Sequence, residues 1–305
     1  MSNTSMTVCD RERTASLLDF RELVDAIATA AAEREAGSIL SPERMVVPLG
    51  AGGVLLSMPA TAKDIGIHKL VNVQLRNRQR QLPTIHGAVT VCDTDTGRIL
   101  CLLDGPEVTG RRTAAATMLA VRIFSQNEPG RILLIGTGAQ ATFHLRAIAA
   151  LYPQCNVMVR GRHQQATEEF CARSRDLHAN LEPCGASLPE ADVVITVTTS
   201  TQPVFDEPAR VGRLVIGVGA FRLEMAEIGA VTLGGSDIYA DDPAGARHEA
   251  GDLLRAGVDW TRVKSLAAAL RGPVDRSRPT VFKSVGSAAW DLAAARVALR
   301  SLGER

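Results

Sequence analysis

The stretch RILLIGTGAQA at 131–141 constrains the fold of this chain more than any other. An apolar strand-like run leads into Gly136, Gly138 and Ala141, spaced Gly-x-Gly-x-x-Ala, and a helical pattern follows to about Leu151. In such a turn the first glycine permits a tight reversal and the second lets a pyrophosphate approach the backbone. The small third residue lets the helix pack against the strand. Free N–H groups at the helix start then face the anion. A second strand-like run, NVMVRG at 156–161, and a helix across 164–177 complete a βαβ unit. DVVITVTT at 192–199, RLVIGVGA at 213–220 and DIYADD at 237–242 are further strand candidates. Strands alternating with helices predict an α/β chain with a Rossmann-type, doubly wound parallel sheet.

The end of the second strand bears on which dinucleotide is bound. NAD sites usually present a carboxylate to the ribose diol about 20 residues after the glycines. Here Arg160, Gly161 and Arg162 occupy that place, and the next carboxylate is Glu168. Two guanidiniums suit a 2′-phosphate, which points to NADPH rather than NADH.

The first third reads as a helix followed by strands. Asp19 and Glu22 resemble a capping box, Leu23, Ile27 and Ala30 follow at helical spacing, and Gly37 can end the helix. TIHGAVTVCD at 84–93 and RILCLLD at 98–104 read as a hairpin turning over 93–97. In GIHKLVNV, alternation places Ile65, Ile67, Lys69, Val71 and Val73 on one face, so Lys69 lies within an apolar stripe. An ammonium there must be paired, neutralised or facing a ligand. The chain has only four lysines, Lys63, Lys69, Lys264 and Lys283, against many arginines. A helix is expected from Thr109 to about Ser125, which puts Arg111 and Arg112 near its positive end. An anion bound nearby would resolve that conflict. The final helix runs from about Gly286 to Leu302 and is expected to return to the first domain.

Lysine plus arginine total 34 and aspartate plus glutamate 33, a balance without the basic excess of a nucleic-acid-binding chain. No apolar run reaches the length of a membrane span, and the N-terminus lacks the apolar core of a secretory leader. The six cysteines are widely spaced with no CxxC pair, and His248 and Glu249 lack metal-ligand spacing. A metal site is therefore not expected, and the cytoplasm is the expected compartment.

Several strings together resemble the ornithine cyclodeaminase/mu-crystallin family. They are Arg44 before a strand, SMPA at 57–60, Lys69 in its strand, LPTIHG at 82–87 and TGRRTAAATMLA at 109–120. IGTGAQA at 135–141, the VTTS run at 197–200, GVGA at 217–220 and FKSVGSAAWDLAAA at 282–295 complete the set. The resemblance implies a Rossmann domain (116–279) inserted in an α+β substrate-binding and dimerisation domain (1–115 plus 280–305), in a homodimer. It implies that Arg44 and Lys69 hold a substrate carboxylate, with Lys69 a candidate acid/base. Thr84 and Arg112 would contact the cofactor, Ala139 and Gln140 would open the phosphate-binding helix, and Thr198, Thr199, Val218, Gly219 and Ala220 would line the cofactor. Ser284 and Val285 would sit by the nicotinamide, Val285 also beside the substrate.

The family includes cyclodeaminases, reductases of cyclic imine acids, alanine dehydrogenases and non-catalytic NADP(H)-binding mu-crystallins. Cyclodeaminases carry a catalytic Asp six residues before a Glu, and counting back from Glu227 reaches Phe221. Phenylalanine can neither activate water nor pair with an amine, although Glu224 is a neighbouring acid. The expected activity is therefore NADPH-dependent reduction of Δ1-pyrroline-2-carboxylate or Δ1-piperideine-2-carboxylate, with Phe221 against the substrate ring. The alternatives are an NAD-dependent ornithine cyclodeaminase, an alanine dehydrogenase-like enzyme and a non-catalytic NADP(H)-binding protein.

Overall fold

A computed structural model describes residues 6–50, 52–185 and 187–303. The extreme ends of the expected outer domain segments, 1–5 and 304–305, and the start of the N-terminus read for a leader, lie outside the described residues. The chain divides into two compact units, Met1–Arg112 with Ser287–Arg305, and Thr113–Gly286.

The first unit carries a six-stranded sheet built from β1 (Thr7–Val8), β2 (Met45–Leu49), β3 (Gly53–Thr61), β4 (Ile65–Val73), β5 (Ile85–Asp93) and β6 (Ile99–Asp104). Its order is β1-β6-β5-β4-β3-β2, antiparallel except for β1 beside β6. Helices α1 (Arg11–Leu17) and α2 (Phe20–Glu35) belong to this unit. Asp19 caps α2, its Oδ1 accepting from the N–H groups of Arg21 and Glu22. In β4 the expected alternation is present: Ile65, Ile67, Lys69, Val71 and Val73 are buried, while His68 and Leu70 are exposed.

Helix α3 (Gly105–Phe124) starts at Gly105 rather than near Thr109. Asp104 Oδ1 accepts from Glu107 N at 2.7 Å, so the cap lies ahead of the Gly-Pro pair, where proline's missing N–H is harmless. Arg111 and Arg112 are thus in the second turn, away from the positive end.

The second unit holds an eight-stranded parallel sheet. Its strands are β7 (Arg131–Ile135), β8 (Asn156–Arg160), β9 (Leu181–Pro183), β10 (Val193–Thr196), β11 (Leu214–Gly217), β12 (Asp237–Ala240), β13 (Lys264–Ser265) and β14 (Thr280–Lys283). The order is β13-β12-β14-β11-β10-β7-β8-β9. Helices α4 (Ala139–Leu151), α5 (Gln164–Arg173), α6 (Ala230–Gly234), α7 (Pro243–Glu249), α8 (Gly251–Arg255) and α9 (Leu266–Arg271) connect them. Strands β7, β10, β11 and β14 are buried almost throughout, as parallel strands covered on both faces must be.

The expected domain limits shift in two places. Residues 113–115 fall in the second unit, and so do residues 280–286, which form β14 and the loop after it, hydrogen-bonded between β12 and β11 in this sheet. The order in which strands are added reverses between β7 and β10, although the two run parallel, and ligands of open α/β sheets bind beyond the carboxyl ends of strands at such a switch point.

The last helix, α10 (Ala288–Leu302), is capped by Ser287 and packs in the first unit against α2, β3 and β4. Among the described residues, no helix is long and apolar enough to cross a membrane.

Candidate active site

In the first unit, β4, α3 and α10 bring three charged side chains together. Lys69 is 1% exposed, and its Nζ lies 2.6 Å from Asp291 Oδ2 on α10. Arg112 on α3 donates from Nε to Asp291 Oδ1 at 3.1 Å. Asp291 is fully buried. Burial pulls the Lys69 ammonium down to about 8. The Asp291 carboxylate opposes this, and the charges of Arg112 and Arg44 add to it. Arg44 is half-buried just before β2. In place of the bound anion expected, side chains of the chain itself meet the arginine pair. Arg111 donates to Glu107 Oε1 at 2.8 Å, and Arg112 to Asp291. Asp291 escapes pattern reading because WDLA at 290–293 reads as one polar position in an apolar helix. Its only signal is that an acid on a wholly buried face needs a cation. Thr84 lies in the same unit, at the turn entering β5, where its carbonyl accepts from Gln74 N.

In the second unit the Gly-rich turn has the geometry its residues imply. Gly136 has φ +132°, and a Cβ there would meet Val197 at 2.8 Å, so any side chain would be both strained and crowded. Gly138 starts α4 with no side-chain cap, and beyond its chain neighbours no described atom lies within 4 Å of where its Cβ would be. The first N–H groups of α4, at Ala139 and Gln140, are thus without a side-chain acceptor, and Ala141 is packed at 0% exposure. Gln140 Oε1 is buried with no hydrogen-bond partner. An open helix start, a glycine cradle and an orphaned polar atom fit a phosphate-bearing cofactor.

At the end of β8, Arg160 is half-buried and Arg162 exposed. Gly161 between them donates to Thr167 Oγ1 at 2.8 Å, which holds the turn. Arg173 on α5 brings a third guanidinium, donating from Nη2 to Thr137 O at 3.0 Å within the Gly-rich turn. Sequence spacing does not flag Arg173, because helix α5 returns it from beyond the motif.

Two buried carboxylates organise the loops beyond β10, β11 and β14. Glu227 Oε1 accepts from Thr198 N at 2.5 Å and Thr198 Oγ1 at 2.8 Å. Its Oε2 accepts from Gly219 N at 2.5 Å and Ala220 N at 3.2 Å. Burial pushes the Glu227 carboxyl above its usual range, while Lys283 and the donors oppose that rise. A Cβ at Gly219 would lie 2.0 Å from Thr198 O, so these two loops meet only because residue 219 is glycine. Asp241 repeats the device, accepting from Ser284 Oγ at 2.9 Å, Val285 N at 2.9 Å and Gly286 N at 3.0 Å. Thr198, Val218, Gly219, Ala220, Ser284 and Val285 are thereby gathered at one end of the sheet. Thr199 lies in the same loop after β10.

Phe221 follows Ala220, half-buried, with the Arg222 guanidinium 5.5 Å from its ring centroid. Glu224, the other acid near this position, is 62% exposed and 3.9 Å from Arg222. Among the described residues, no group of three or more histidine, cysteine or acidic side chains could hold a metal ion.

The profile of the ornithine cyclodeaminase/mu-crystallin family matches residues 4–304. A Delta(1)-pyrroline-2-carboxylate/Delta(1)-piperideine-2-carboxylate reductase of Azospirillum brasilense is 53% identical over 300 residues, covering 98% of this chain and 96% of that protein. Delta(1)-pyrroline-2-carboxylate reductase 1 of Burkholderia multivorans is 53% identical over the same length and coverage. Among solved structures, the Thermococcus litoralis Delta(1)-pyrroline-2-carboxylate reductase in complex with NADH and L-proline superposes with a TM-score of 0.87. It is 22% identical, covers 97% of both chains, and shares the fold.

Proposed function

The chain belongs to the ornithine cyclodeaminase/mu-crystallin family, and from that we propose that it is a nicotinamide-dependent reductase of cyclic imine acids. Its substrates are Δ1-pyrroline-2-carboxylate and Δ1-piperideine-2-carboxylate, and its products proline and pipecolate. The observation that carries this is 53% identity along nearly the whole chain to a reductase of both imines. The buried cationic cluster around Lys69 supports it, since a small anionic substrate needs a desolvated cation.

In this reading Arg44 and Lys69 hold the substrate carboxylate, and Lys69 Nζ gives a proton to the ring nitrogen. Gly136, Gly138, Ala139, Gln140 and Ala141 cradle the pyrophosphate. Thr84 and Arg112 contact the cofactor, Thr198, Thr199 and Val218 to Ala220 line it, and Ser284 and Val285 lie by the nicotinamide. When bound, the reduced nicotinamide supplies the hydride that ring carbon C2 receives. Phe221 packs against the apolar ring edge and leaves an ornithine side-chain ammonium without a partner. Glu224, exposed beside Arg222, does not replace the missing acid.

The test is NADPH oxidation with both cyclic imines, beside ammonia release from ornithine. Imine turnover with at least roughly a hundredfold lower kcat/KM on ornithine is expected, since an unpaired buried ammonium costs several kcal/mol. Efficient conversion of ornithine would overturn the assignment.

NADPH is the preferred donor because Arg160 and Arg162, with Arg173 close by, offer charge-assisted hydrogen bonds to a 2′-phosphate. Arg162→Asp should weaken NADPH by about tenfold or more, in line with one lost charge-assisted bond, and leave NADH almost unchanged. Equal losses in a direct fluorescence titration would return both arginines to the role of solvated surface charges.

We assign the active form as a homodimer. Met45, Val46 and Val47 on the edge strand β2 are 63%, 57% and 40% exposed, an apolar edge that invites pairing. A sedimentation mass of one chain would refute this. The six cysteines are free thiols, five of them buried, which suits a reducing cytoplasm; cell fractionation checks that compartment.

A further inference from the structure

The charged cluster of the first unit is unequal: one carboxylate serves two cations. Asp291 gives Oδ2 to Lys69 Nζ at 2.6 Å and Oδ1 to Arg112 Nε at 3.1 Å, with all three side chains buried. Lys69 is flanked on β3 by Met58 and on β5 by Val89, both apolar and buried. The charges that act on it are therefore Asp291 on α10, Arg112 on α3 and Arg44 ahead of β2. In such a site the proton on a lysine depends on the one anion in contact with it and on the cations competing for that anion. Loss of the Asp291 charge favours the neutral amine, and loss of the Arg112 charge favours the ammonium. A side chain that merely fills space predicts neither.

We propose that Asp291 is a positioning residue that acts through Lys69, aiming its ammonium and determining the pH up to which Lys69 keeps the proton given to the imine nitrogen. This rests on the reductase reading and assigns the role to a residue that would touch neither substrate nor cofactor. Arg112 enters as the competitor: by sharing Asp291 it keeps Lys69 from being held too tightly as an ammonium to give up its proton near neutral pH.

The shortage of lysine makes a direct test practical. With ¹³C-labelled lysine, only four side chains give Cε resonances, and Lys69→Met identifies the one from Lys69. Its titration is followed beside the pH profile of imine reduction. In the wild-type protein the resonance is expected to titrate near 8. In Asp291→Asn the midpoint should fall by about one pH unit or more, and in Arg112→Gln it should rise. The alkaline limb of kcat should move with the midpoint in Asp291→Asn, and Asp291→Glu should restore both.

An unmoved midpoint in both variants overturns the proposal, and so does a limb that stays in place while the midpoint moves. If Asp291→Asn fails to fold, Arg112→Gln decides: a rise supports the proposal, and no change or a fall overturns it. A wild-type chain that reduces neither imine would overturn the reductase reading instead. The resonance titration, which needs no turnover, would still decide whether Asp291 controls Lys69.

Discussion

Replacing Lys69 with methionine is expected to lower kcat/KM for cyclic imine reduction by roughly a thousandfold, the middle of the range for loss of a positioned proton donor. The same change removes a cation from the substrate carboxylate, so KM should rise as well. Dinucleotide affinity should be nearly intact, because the Gly-rich turn and the loops held by Glu227 and Asp241 lie in the other unit, and Arg112, the cofactor contact proposed beside Lys69, keeps its hold on Asp291. The fold should survive. Methionine fills the space left by the lysine stem, and Asp291 keeps Arg112 as a partner at 3.1 Å.

Lys69 also leaves a signature in the pH dependence. Its ammonium is held down to about 8, so the proton is present below that pH and lost above it. The wild-type rate should fall as pH rises through about 8, and the residual rate of the variant should lack that limb. A Lys69→Met enzyme with near-normal kcat/KM would reduce Lys69 to the buried half of a structural ion pair.

Glu227→Gln is expected to destabilise the second unit by about 2–4 kcal/mol and to weaken dinucleotide binding by about tenfold or more. The substitution is nearly isosteric, so volume is not the cause. Thr198 N, Thr198 Oγ1, Gly219 N and Ala220 N converge on the two oxygens of Glu227. An amide must present its NH₂ to one pair of them, leaving buried donors facing a donor. Charge is lost as well, and Lys283 keeps only Asp252, at 3.2 Å. The loops after β10 and β11 would separate, and with them the lining expected for the cofactor. The unfolding transition of this unit should drop by roughly 5–10 °C. Unchanged melting and unchanged affinity would show that the loops are held by packing alone.

Local pattern carried much of the architecture. The run at 131–141, the arginines at 160 and 162, the alternation around Lys69 and the capping box at Asp19 are readable because each depends on neighbours within a few residues. The misreadings have physical causes too. TVFK at 280–283 is too short and too near Pro279 to announce a strand, yet it pairs with β11 and β12 in the middle of the parallel sheet. The start of α3 was hidden because Asp-Gly-Pro reads as a turn, although the same residues cap a helix. Arg111 and Arg112 remained two cations in search of an anion. Their partners are a glutamate one turn earlier and an aspartate 179 positions away.

By itself, the sequence determined the Rossmann-type block, its Gly-rich turn, the arginines at the end of its second strand, and the burial of one lysine. Only the tertiary structure decided what neutralises that lysine and what holds the loops after β10, β11 and β14 in place. Asp291, Glu227 and Asp241 are single acids in unremarkable surroundings along the chain. Each acquires its role by meeting donors supplied from distant segments, at the ends of strands or across a helix. Strand and helix periodicity is a property of neighbouring residues and is written in local order. The pairing of a buried carboxylate is a property of long-range packing, and in this protein it exists only once the sheets are formed.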